Sequence, residues 1–453
     1  MIVGEEYIVE IEKMLNQGFA LARINNIPVF VSGACPKDKL QIKITHINKN
    51  YLVAEIVKII EPSPYRVNPE CAFHNLCGSC DWLHISYDEQ INQKRIIVDE
   101  TLKKIAGNNV QVQNVIPSPK IKEYRCKIQL PVSQTKVSGR ILSGYYKKNT
   151  HELINIKYCP MQPQIINEIN EYIKTEAQKL EISAYSEKFH KGLLRHIVYR
   201  ISSDLNQILI IFVINSNNID KKLTILSKSI IEKFPIVRGV CANLNERKTN
   251  VIMSNNTKNI IGTDYYIEKL SEINYKISTN SFFQVNPLCA ELIFNKVKEI
   301  ILSKVTNPTI LDAYSGVSSF GIWLSSIASK VVCIEEVKSA SEDARANVKL
   351  NKIDNIEIIN GDAEVEFDKL IKKGIKFDIS ITDPPRKGCS LNSINNLIKI
   401  TEKFIIYVSC NVSTLARDMK ILNENGFKAI YIQPVDMFPN TYHVETIVMF
   451  ERI

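Results

Sequence analysis

The part of the chain that most limits its possible folds is the C-terminal segment, where short apolar runs alternate with helix-like stretches from about residue 268 onward. Such alternation is typical of an α/β domain with a mostly parallel, doubly wound sheet of the Rossmann type. The last two runs have no helix between them, so we expect an antiparallel pair at the end of the sheet. The predicted strands cover residues 309–314, 330–334, 355–359, 377–382, 403–409, 427–432 and 443–450.

The N-terminal segment has a different pattern, in which short β-like runs are separated by turns. This pattern favours a small closed β-barrel of the oligonucleotide-binding type, although any small β-domain would match it. The predicted strands cover residues 7–11, 19–23, 29–31, 40–44 and 51–57.

Between these segments the pattern is mixed, which predicts an α+β domain. Residues 61–65, Glu-Pro-Ser-Pro-Tyr, predict a linker because they combine turn-forming residues with two prolines. Two helices are expected further on, at residues 87–106 and 164–179. The chain therefore divides into three predicted domains, residues 1–60, 66–265 and 268–453.

Composition and charge narrow the class of protein. Hydrophobic residues make up 45% of the chain and charged residues 23%, as in ordinary globular proteins. No apolar run reaches transmembrane length and the N-terminus lacks a secretory pattern, so we expect a cytoplasmic protein with no membrane partner. The 11 cysteines then argue against a disulfide framework. The net charge of +9 fits either a lysine-rich surface or a polyanionic partner.

Polar residues at the ends of the first three C-terminal strands predict a cofactor site. Gly316 lies in the turn between the first strand and its helix, where a ligand can approach the backbone. Glu335 ends the second strand and can accept both hydroxyls of a ribose, and Asp362 follows the third, where a contact near an adenine is common. Each acid alone is more easily explained as a solvated loop carboxylate. Their recurrence at successive strand ends favours a ribose-bearing cofactor.

The next strand ends point to a reactive pair. Asp383 begins an Asp-Pro-Pro-Arg turn that ends at Arg386, and Cys410 follows the next strand. A thiolate there suits attack on an electrophilic carbon such as C6 of uracil, and Glu445 can then remove the C5 proton. The plainer alternatives are a buried cysteine and a surface carboxylate at the edge of a strand.

Together these motifs resemble those of the RNA uracil-5 methyltransferases that use S-adenosylmethionine. The resemblance covers essentially the whole chain, and the N-terminal segment resembles the TRAM domain, an RNA-binding barrel of the ribosomal RNA branch. The matching elements are Phe283-Gln284-Val285-Asn286, Asp312-Ala313-Tyr314-Ser315-Gly316, Glu335, Asp383-Pro384-Pro385-Arg386-Lys387-Gly388, Ser409-Cys410-Asn411 and His443-Val444-Glu445.

The resemblance also assigns roles to single residues. It implies that Cys410 is the nucleophile and Glu445 the proton acceptor. Cofactor contacts are implied for Gln284, Tyr314, Glu335 and Asp383. The chain departs from the family at Ser318, where a second glycine is common, which puts the geometry of the turn in question.

A cysteine cluster suggests a second cofactor. Cys71, Cys77 and Cys80, with the distant Cys159, resemble the [4Fe–4S] ligand set of the same branch. Zinc is the alternative, since His74 completes a set with the first three cysteines. We favour the cluster, and expect it to have a structural or RNA-positioning role.

Two segments of the middle domain mix aromatic and basic residues, 124–127 and 144–148, as RNA-binding surfaces do. We therefore expect a monomeric enzyme that forms 5-methyluridine in RNA, with 23S ribosomal RNA favoured and no DNA partner. Two alternatives remain, an enzyme of the same class that acts on transfer RNA and a non-catalytic RNA-binding protein with a vestigial cofactor fold.

Overall fold

The computed structural model describes residues 2–453, and its first sheet is a curled N-terminal barrel. Alternate side chains of its fifth strand, Leu40, Ile42 and Ile44, are buried, which gives this part of the chain a core of its own. Six strands pair in the order β1-β5-β6-β4-β3-β2, one more than predicted. They are β1 (Glu6–Glu10), β2 (Lys13–Met14), β3 (Ala20–Ile24), β4 (Ile27–Val31), β5 (Lys39–Ile47) and β6 (Leu52–Glu61).

The predicted linker at residues 61–65 is held against the barrel by hydrogen bonds and an ion pair. The buried Asp38 carboxylate accepts a hydrogen bond from Ser63 N–H at 2.9 Å and pairs with Arg66 at 2.7 Å. A charge with such partners is stable out of water, and it holds the start of the next segment in place.

A seven-stranded sheet, the middle sheet, forms the centre of the molecule, in the order β13-β12-β11-β10-β7-β8-β9. Two helices, α2 and α3, pack on it around a separate apolar core. The elements of this region are α1 (Tyr87–Ala106), β7 (Lys127–Gln134), β8 (Ile141–Tyr146), β9 (Leu153–Asn155), α2 (Gln164–Lys179), β10 (Leu194–Ile201), β11 (Ile208–Ile214), α3 (Lys221–Lys233), β12 (Val237–Leu244) and β13 (Thr257–Gly262), followed by a hairpin of β14 (Tyr265–Leu270) and β15 (Ile273–Ser278).

The C-terminal sheet has the predicted architecture. Its order is β18-β17-β16-β19-β20-β22-β21, with parallel pairing from β18 to β20 and antiparallel pairing of β22 with both its neighbours. The elements are α4 (Pro287–Leu302), β16 (Thr309–Ala313), α5 (Ser319–Leu324) with a 3₁₀ turn (Ser325–Ile327), β17 (Lys330–Glu335), α6 (Lys338–Leu350), β18 (Ile356–Asn360), α7 (Ala363–Lys372), β19 (Phe377–Thr382), α8 (Leu391–Ile400), β20 (Thr401–Ser409), α9 (Val412–Glu424), β21 (Phe427–Val435) and β22 (Glu445–Arg452).

Helix α1 differs from the predicted domain assignment. Its residues fall within the predicted middle domain, yet the helix packs against α9 and β21 of the C-terminal sheet. The chain after it continues this contact, because Val112 and Ile116 form parallel bridges with Ile432 and Val435. The C-terminal sheet is therefore completed by residues that precede the middle sheet.

None of the helices in the described part of the chain is both long and apolar enough to cross a lipid bilayer.

Candidate active site

The predicted site residues lie along one edge of the C-terminal sheet. Each of the five parallel strands ends at this edge, and β22, which runs the other way, begins there. In the order of the strands the edge carries Asp362, Glu335, Gly316, Asp383, Cys410 and Glu445. Neighbouring strands are about 4.8 Å apart, so the topology brings all six residues into a single row.

The turn after β16 has an unusual backbone conformation. Tyr314, Gly316 and Ser318 all have positive φ, of 62°, 57° and 64°. For a bulky residue such as Tyr314 this left-handed conformation is strained, and such strain concentrates at ligand sites. The conformation turns Gly316 N–H toward Glu335, whose Oε2 accepts it at 2.8 Å.

The departure at Ser318 leaves the turn intact. This serine adopts the left-handed conformation itself, and its hydroxyl lies 3.0 Å from Cys333 Sγ in the core. The close approach is made possible by Gly321, where a Cβ would lie 2.4 Å from Cys333 Sγ and 2.6 Å from Ser318 Oγ. The small residue that the packing requires is therefore Gly321.

The two outer acids have structural partners as well. Glu335 accepts a second backbone hydrogen bond, from Val337 N–H at 2.7 Å, which fixes its carboxylate at the strand end. Asp362 caps helix α7, since its Oδ1 accepts from Glu364 N–H at 2.9 Å and from Val365 N–H at 3.1 Å. Asp362 is exposed, so its other oxygen faces solvent beside the row.

The segment before α4 brings Gln284 to the row. Asn286 caps α4 and also donates to Ser118 Oγ and Met437 O, both at 3.1 Å. Gln284 lies two residues before Asn286. Because these hydrogen bonds fix Asn286, Gln284 Nε2 comes within 3.4 Å of Asp383 Oδ2.

Cys410 and Glu445 lie opposite each other. The β20–β22 ladder ends with Ser409 paired to Thr446, so the next pair in register is Cys410 and Glu445. Glu445 is 4% exposed and its Oε2 has no hydrogen-bond partner. A buried carboxyl oxygen left without a partner is costly, and it is available to a bound molecule.

The electrostatics keep this pair uncharged. Burial, reinforced by the Asp383 carboxylate, raises the pKa of Glu445 well above its usual range, and burial raises the pKa of Asp383 to about 7. Burial raises the pKa of the Cys410 thiol to about 11, with contributions from Glu445 and Asp383 and opposition from Arg386. A free cysteine with this pKa is almost entirely protonated at neutral pH.

A cleft of about 400 Å³ lies near this end of the row, although none of the six row residues lines it. We call it the catalytic cleft. Arg386 and His443 connect it to the Asp383 turn and to Glu445, and its far wall comes from the middle sheet. Its other main side chains are Arg125, Lys127, Tyr145, Phe438 and Tyr442. Both mixed aromatic and basic segments thus contribute to the cleft, through Arg125, Lys127 and Tyr145.

The four predicted ligand cysteines line a second, smaller cavity. Cys71, Cys77 and Cys80 come from a loop without helix or strand, and Cys159 faces them beside Arg125 and Tyr145. The cavity measures about 20 Å³, and no three His, Cys, Asp or Glu side chains among residues 2–453 are grouped closely enough to hold a single metal ion.

Sequence reasoning missed the residues that support this end of the site. Lys94 is fully buried, and its Nζ lies 2.5 Å from Asp436 Oδ1 and 3.0 Å from Phe438 O. Tyr87 O–H donates to the same aspartate at 2.8 Å. Since these residues are more than 340 positions apart in the chain, no local pattern indicates the contact.

Comparison with known proteins agrees with this description of an α/β methyltransferase. A family model described as tRNA (Uracil-5-)-methyltransferase matches residues 86–453, and a TRAM domain model matches residues 2–57. An RNA methyltransferase of Clostridium tetani, itself uncharacterized, is 38% identical over 98% of this chain and 95% of its own. One from Bacillus cereus is 36% identical over 98% and 95%. The chain belongs to the tRNA (uracil-5-)-methyltransferase family.

One solved structure aligns with this chain over nearly its full length. The Pyrococcus abyssi tRNA (uracil-54, C5)-methyltransferase in complex with S-adenosyl-L-homocysteine is 28% identical, with a TM-score of 0.78 over 98% of this chain and 100% of that one. The predictions of an S-adenosylmethionine-dependent RNA methyltransferase with an N-terminal TRAM domain are confirmed.

Proposed function

We propose that this protein methylates C5 of a uridine in RNA, with Cys410 as the nucleophile and Glu445 as the base. The observation that carries the proposal is that these two residues hold the next positions in register beyond the β20–β22 ladder, close enough for Glu445 to act on the Cys410 thiol, at the edge where the cofactor turn also lies. C5 of uracil is not nucleophilic until a group adds to C6, so the reaction needs a nucleophile and a base on one base ring.

The cofactor is held by the other residues of the row. We assign its ribose to Glu335, its adenine region to Asp362, and its remaining contacts to Gln284, Tyr314, Gly316 and Asp383. S-adenosylmethionine supplies an electrophilic methyl group on a sulfonium cation, and a cation beside Asp383 favours the ionised forms of Asp383 and Glu445.

The steps follow from where the groups lie. Once the Cys410 thiol has lost its proton to solvent, the thiolate adds to C6, and the electron pair of the C5–C6 double bond moves to C5. C5 takes up the methyl group, and S-adenosylhomocysteine is the leaving group. Glu445 then accepts the proton from C5, the double bond reforms, and the bond from C6 to sulfur breaks to restore the thiolate. The unpartnered Oε2 of Glu445 supports this role, since it has no other hydrogen bond to give up.

The catalytic cleft suits an extruded nucleotide. C5 and C6 of a paired uridine are inaccessible within a helix, so the base must be turned outward. Tyr442 and Phe438 offer rings to stack on it, while Arg386, Arg125 and Lys127 offer charge to the phosphates.

Trapping the covalent complex tests the chemistry. Cys410→Ala is expected to abolish methylation while S-adenosylhomocysteine still binds. Glu445→Gln is expected to methylate C5 but retain the RNA, which then migrates with the protein on a denaturing gel. Cys241→Ala, which replaces a buried cysteine of the middle sheet, serves as the control and should behave as wild type. Wild-type turnover by Cys410→Ala would rule out the nucleophile.

We propose 23S ribosomal RNA as the substrate, with transfer RNA as the second candidate. The N-terminal barrel and the set of four cysteines resemble those of the ribosomal RNA branch, which supports the first candidate. The match to the Pyrococcus abyssi transfer RNA enzyme supports the second candidate, because it spans the barrel as well. Mapping 5-methyluridine in both RNAs from a deletion strain distinguishes them, since the modified position disappears from only one.

We also propose that Cys71, Cys77, Cys80 and Cys159 hold a [4Fe–4S] cluster. Their donor atoms fit, and the loop that carries three of them has no regular structure to prevent it from opening around a larger group. Such a cluster would brace the wall of the catalytic cleft through Arg125 and Tyr145, which line both cavities. Anaerobically purified protein should be brown with about four irons per chain, whereas colourless protein with one zinc would favour the His74 set.

A further inference from the structure

A second cleft lies on the middle sheet, on the opposite face of strand β8 from the catalytic cleft. We call it the middle-sheet cleft. It measures about 610 Å³, within the range of small-molecule sites, and it shares no lining residue with the catalytic cleft. The side chains that matter are Tyr146, His151, Tyr185, Phe189, Arg195 and His196.

Flat rings and cations alternate around this cleft. The Tyr146 ring stacks on His151, with centroids 5.3 Å apart and planes inclined by 23°. The Arg195 guanidinium lies 4.5 Å from the centre of the Tyr185 ring. Phe189 is 66% exposed, and Lys188 Nζ lies 5.5 Å from the centre of its ring. Stacked aromatic and guanidinium planes are the usual supports for unpaired bases.

Two buried polar side chains at the cleft lack part of their hydrogen bonding. Arg195 is 5% exposed, and His196 is 9% exposed. The Nη1 of Arg195 donates to Asn245 O and Arg247 O, but its Nε has no partner, and neither has His196 Nδ1. Burial lowers the pKa of His196 to about 4, so the ring is neutral at physiological pH. A neutral imidazole offers both a donor and an acceptor, which complements the edge of a base.

The rim of the cleft is basic. Its two bordering loops, residues 134–140 and 185–191, carry four lysines or arginines and one acid. That acid, Glu187, is already paired with His151 at 3.0 Å. The excess positive charge attracts a phosphate backbone without regard to sequence.

The two clefts lie on opposite sides of one hairpin. Tyr145 lines the catalytic cleft and Tyr146 the middle-sheet cleft, because successive residues of a strand face opposite sides. In the β8–β9 turn, Lys148 Nζ lies 3.5 Å from Asp81 of the catalytic cleft, and His151, three residues later, lines the other cleft. Three residues span at most roughly 11 Å of chain, so an RNA strand has a short path between the two clefts.

We propose that the middle-sheet cleft binds an unpaired nucleotide of the substrate RNA, distinct from the uridine that is methylated. The proposal rests on the proposed function, because it assumes an RNA substrate. Stacking rings, the unpartnered nitrogens of Arg195 and His196, and a basic rim together fit a nucleotide, whereas an apolar protein segment would leave the buried nitrogens without partners.

The proposed nucleotide binding is tested by steady-state kinetics of the double variant Tyr146→Ala/Phe189→Ala. With a full-length transcript, KM is expected to rise about tenfold or more while kcat stays unchanged, since the loss of base stacking weakens binding only. With a short oligonucleotide that holds only the target stem-loop, the two proteins should not differ. Ile225→Ala, which removes another exposed apolar side chain of the same region, is the control and should leave KM unchanged.

Crosslinking locates the nucleotide directly. A 4-thiouridine-substituted transcript should crosslink to peptides containing Tyr146 or Phe189 in the wild-type protein. An unchanged KM with no such crosslink, in a protein that still forms the Cys410 adduct, would overturn the proposal and leave the proposed function standing. The proposal would also be overturned if the wild-type protein and the double variant bound uridine monophosphate equally well. Crosslinking of Tyr146 or Phe189 to a protein instead of to the RNA would overturn it too. Failure to methylate any RNA would instead refute the proposed function.

Discussion

At the scale of single residues, the notable property of the site is that Cys410, the proposed nucleophile, is protonated at rest. Burial of Cys410 favours the neutral thiol, and the acids Glu445 and Asp383 add to this effect, while Arg386 opposes it. A resting thiol is protected from oxidation and from chance alkylation, since both proceed through the thiolate. Formation of the Cys410 thiolate then depends on which molecule binds beside the row of residues at the sheet edge.

The pH dependence of alkylation tests this description. Because the pKa of Cys410 is raised to about 11, the thiolate fraction in the free protein should increase about tenfold per pH unit between pH 7 and 9.5. Iodoacetamide labelling of Cys410, followed by mass spectrometry, should increase in proportion. Glu445→Gln removes the negative charge that Glu445 gains when it ionises at high pH, and should speed labelling there, whereas Arg386→Gln should slow labelling. Slower labelling of Glu445→Gln would contradict the description.

At the scale of elements, the sequence predicted what local periodicity encodes. The limits of α1 and α2 are those expected, and every predicted C-terminal strand is present within about three residues. Hydrophobic runs and turn residues suffice for this because they act between neighbours in the chain. The very short strand β2 was missed, since two residues are too few to show a period.

The candidate site was predictable for the same reason. Strand ends in a parallel sheet meet at one edge, so local motifs suffice to assemble the row. The supports of the row were not predictable, because they depend on pairs that are distant in sequence, such as Lys94 with Asp436 and Gln90 with Asn440. Likewise, the walls of the middle-sheet cleft come from four separated segments, and only the one that contains Tyr146 overlaps a segment, 144–148, that the sequence indicated.

The buried ion pair allows a prediction about how α1 is attached. Lys94→Met leaves Asp436 buried without its cation, which should lower the free energy of unfolding by about 3–5 kcal/mol. Lys13→Met breaks an exposed pair between the barrel and Glu100 of the same helix, and should cost at most about 1 kcal/mol. Urea denaturation of both variants gives the comparison. Equal losses would show that burial of the first pair does not matter.

At the scale of the whole molecule, the C-terminal sheet is not self-sufficient. A fragment of residues 268–453 would expose the face of α9 and β21 that α1 covers, and would leave Asp436 unpaired. We expect this fragment to be aggregated or unfolded by circular dichroism. Adding a peptide of residues 86–118 should restore a cooperative thermal transition. A folded, soluble fragment without that peptide would refute the interpretation.

The same arrangement sets an order of events during synthesis. Lys94 leaves the ribosome 342 residues before Asp436, a delay of roughly 17 to 70 s at the usual rates of translation. Throughout that interval the apolar face of α1 has no partner from the C-terminal sheet. The barrel is finished by then and already contacts the helix, since Gln93 accepts from Met14 N–H at 2.8 Å and Lys13 pairs with Glu100. Contacts with the N-terminal barrel are therefore the first that α1 can make, well before the domain that it supports is complete.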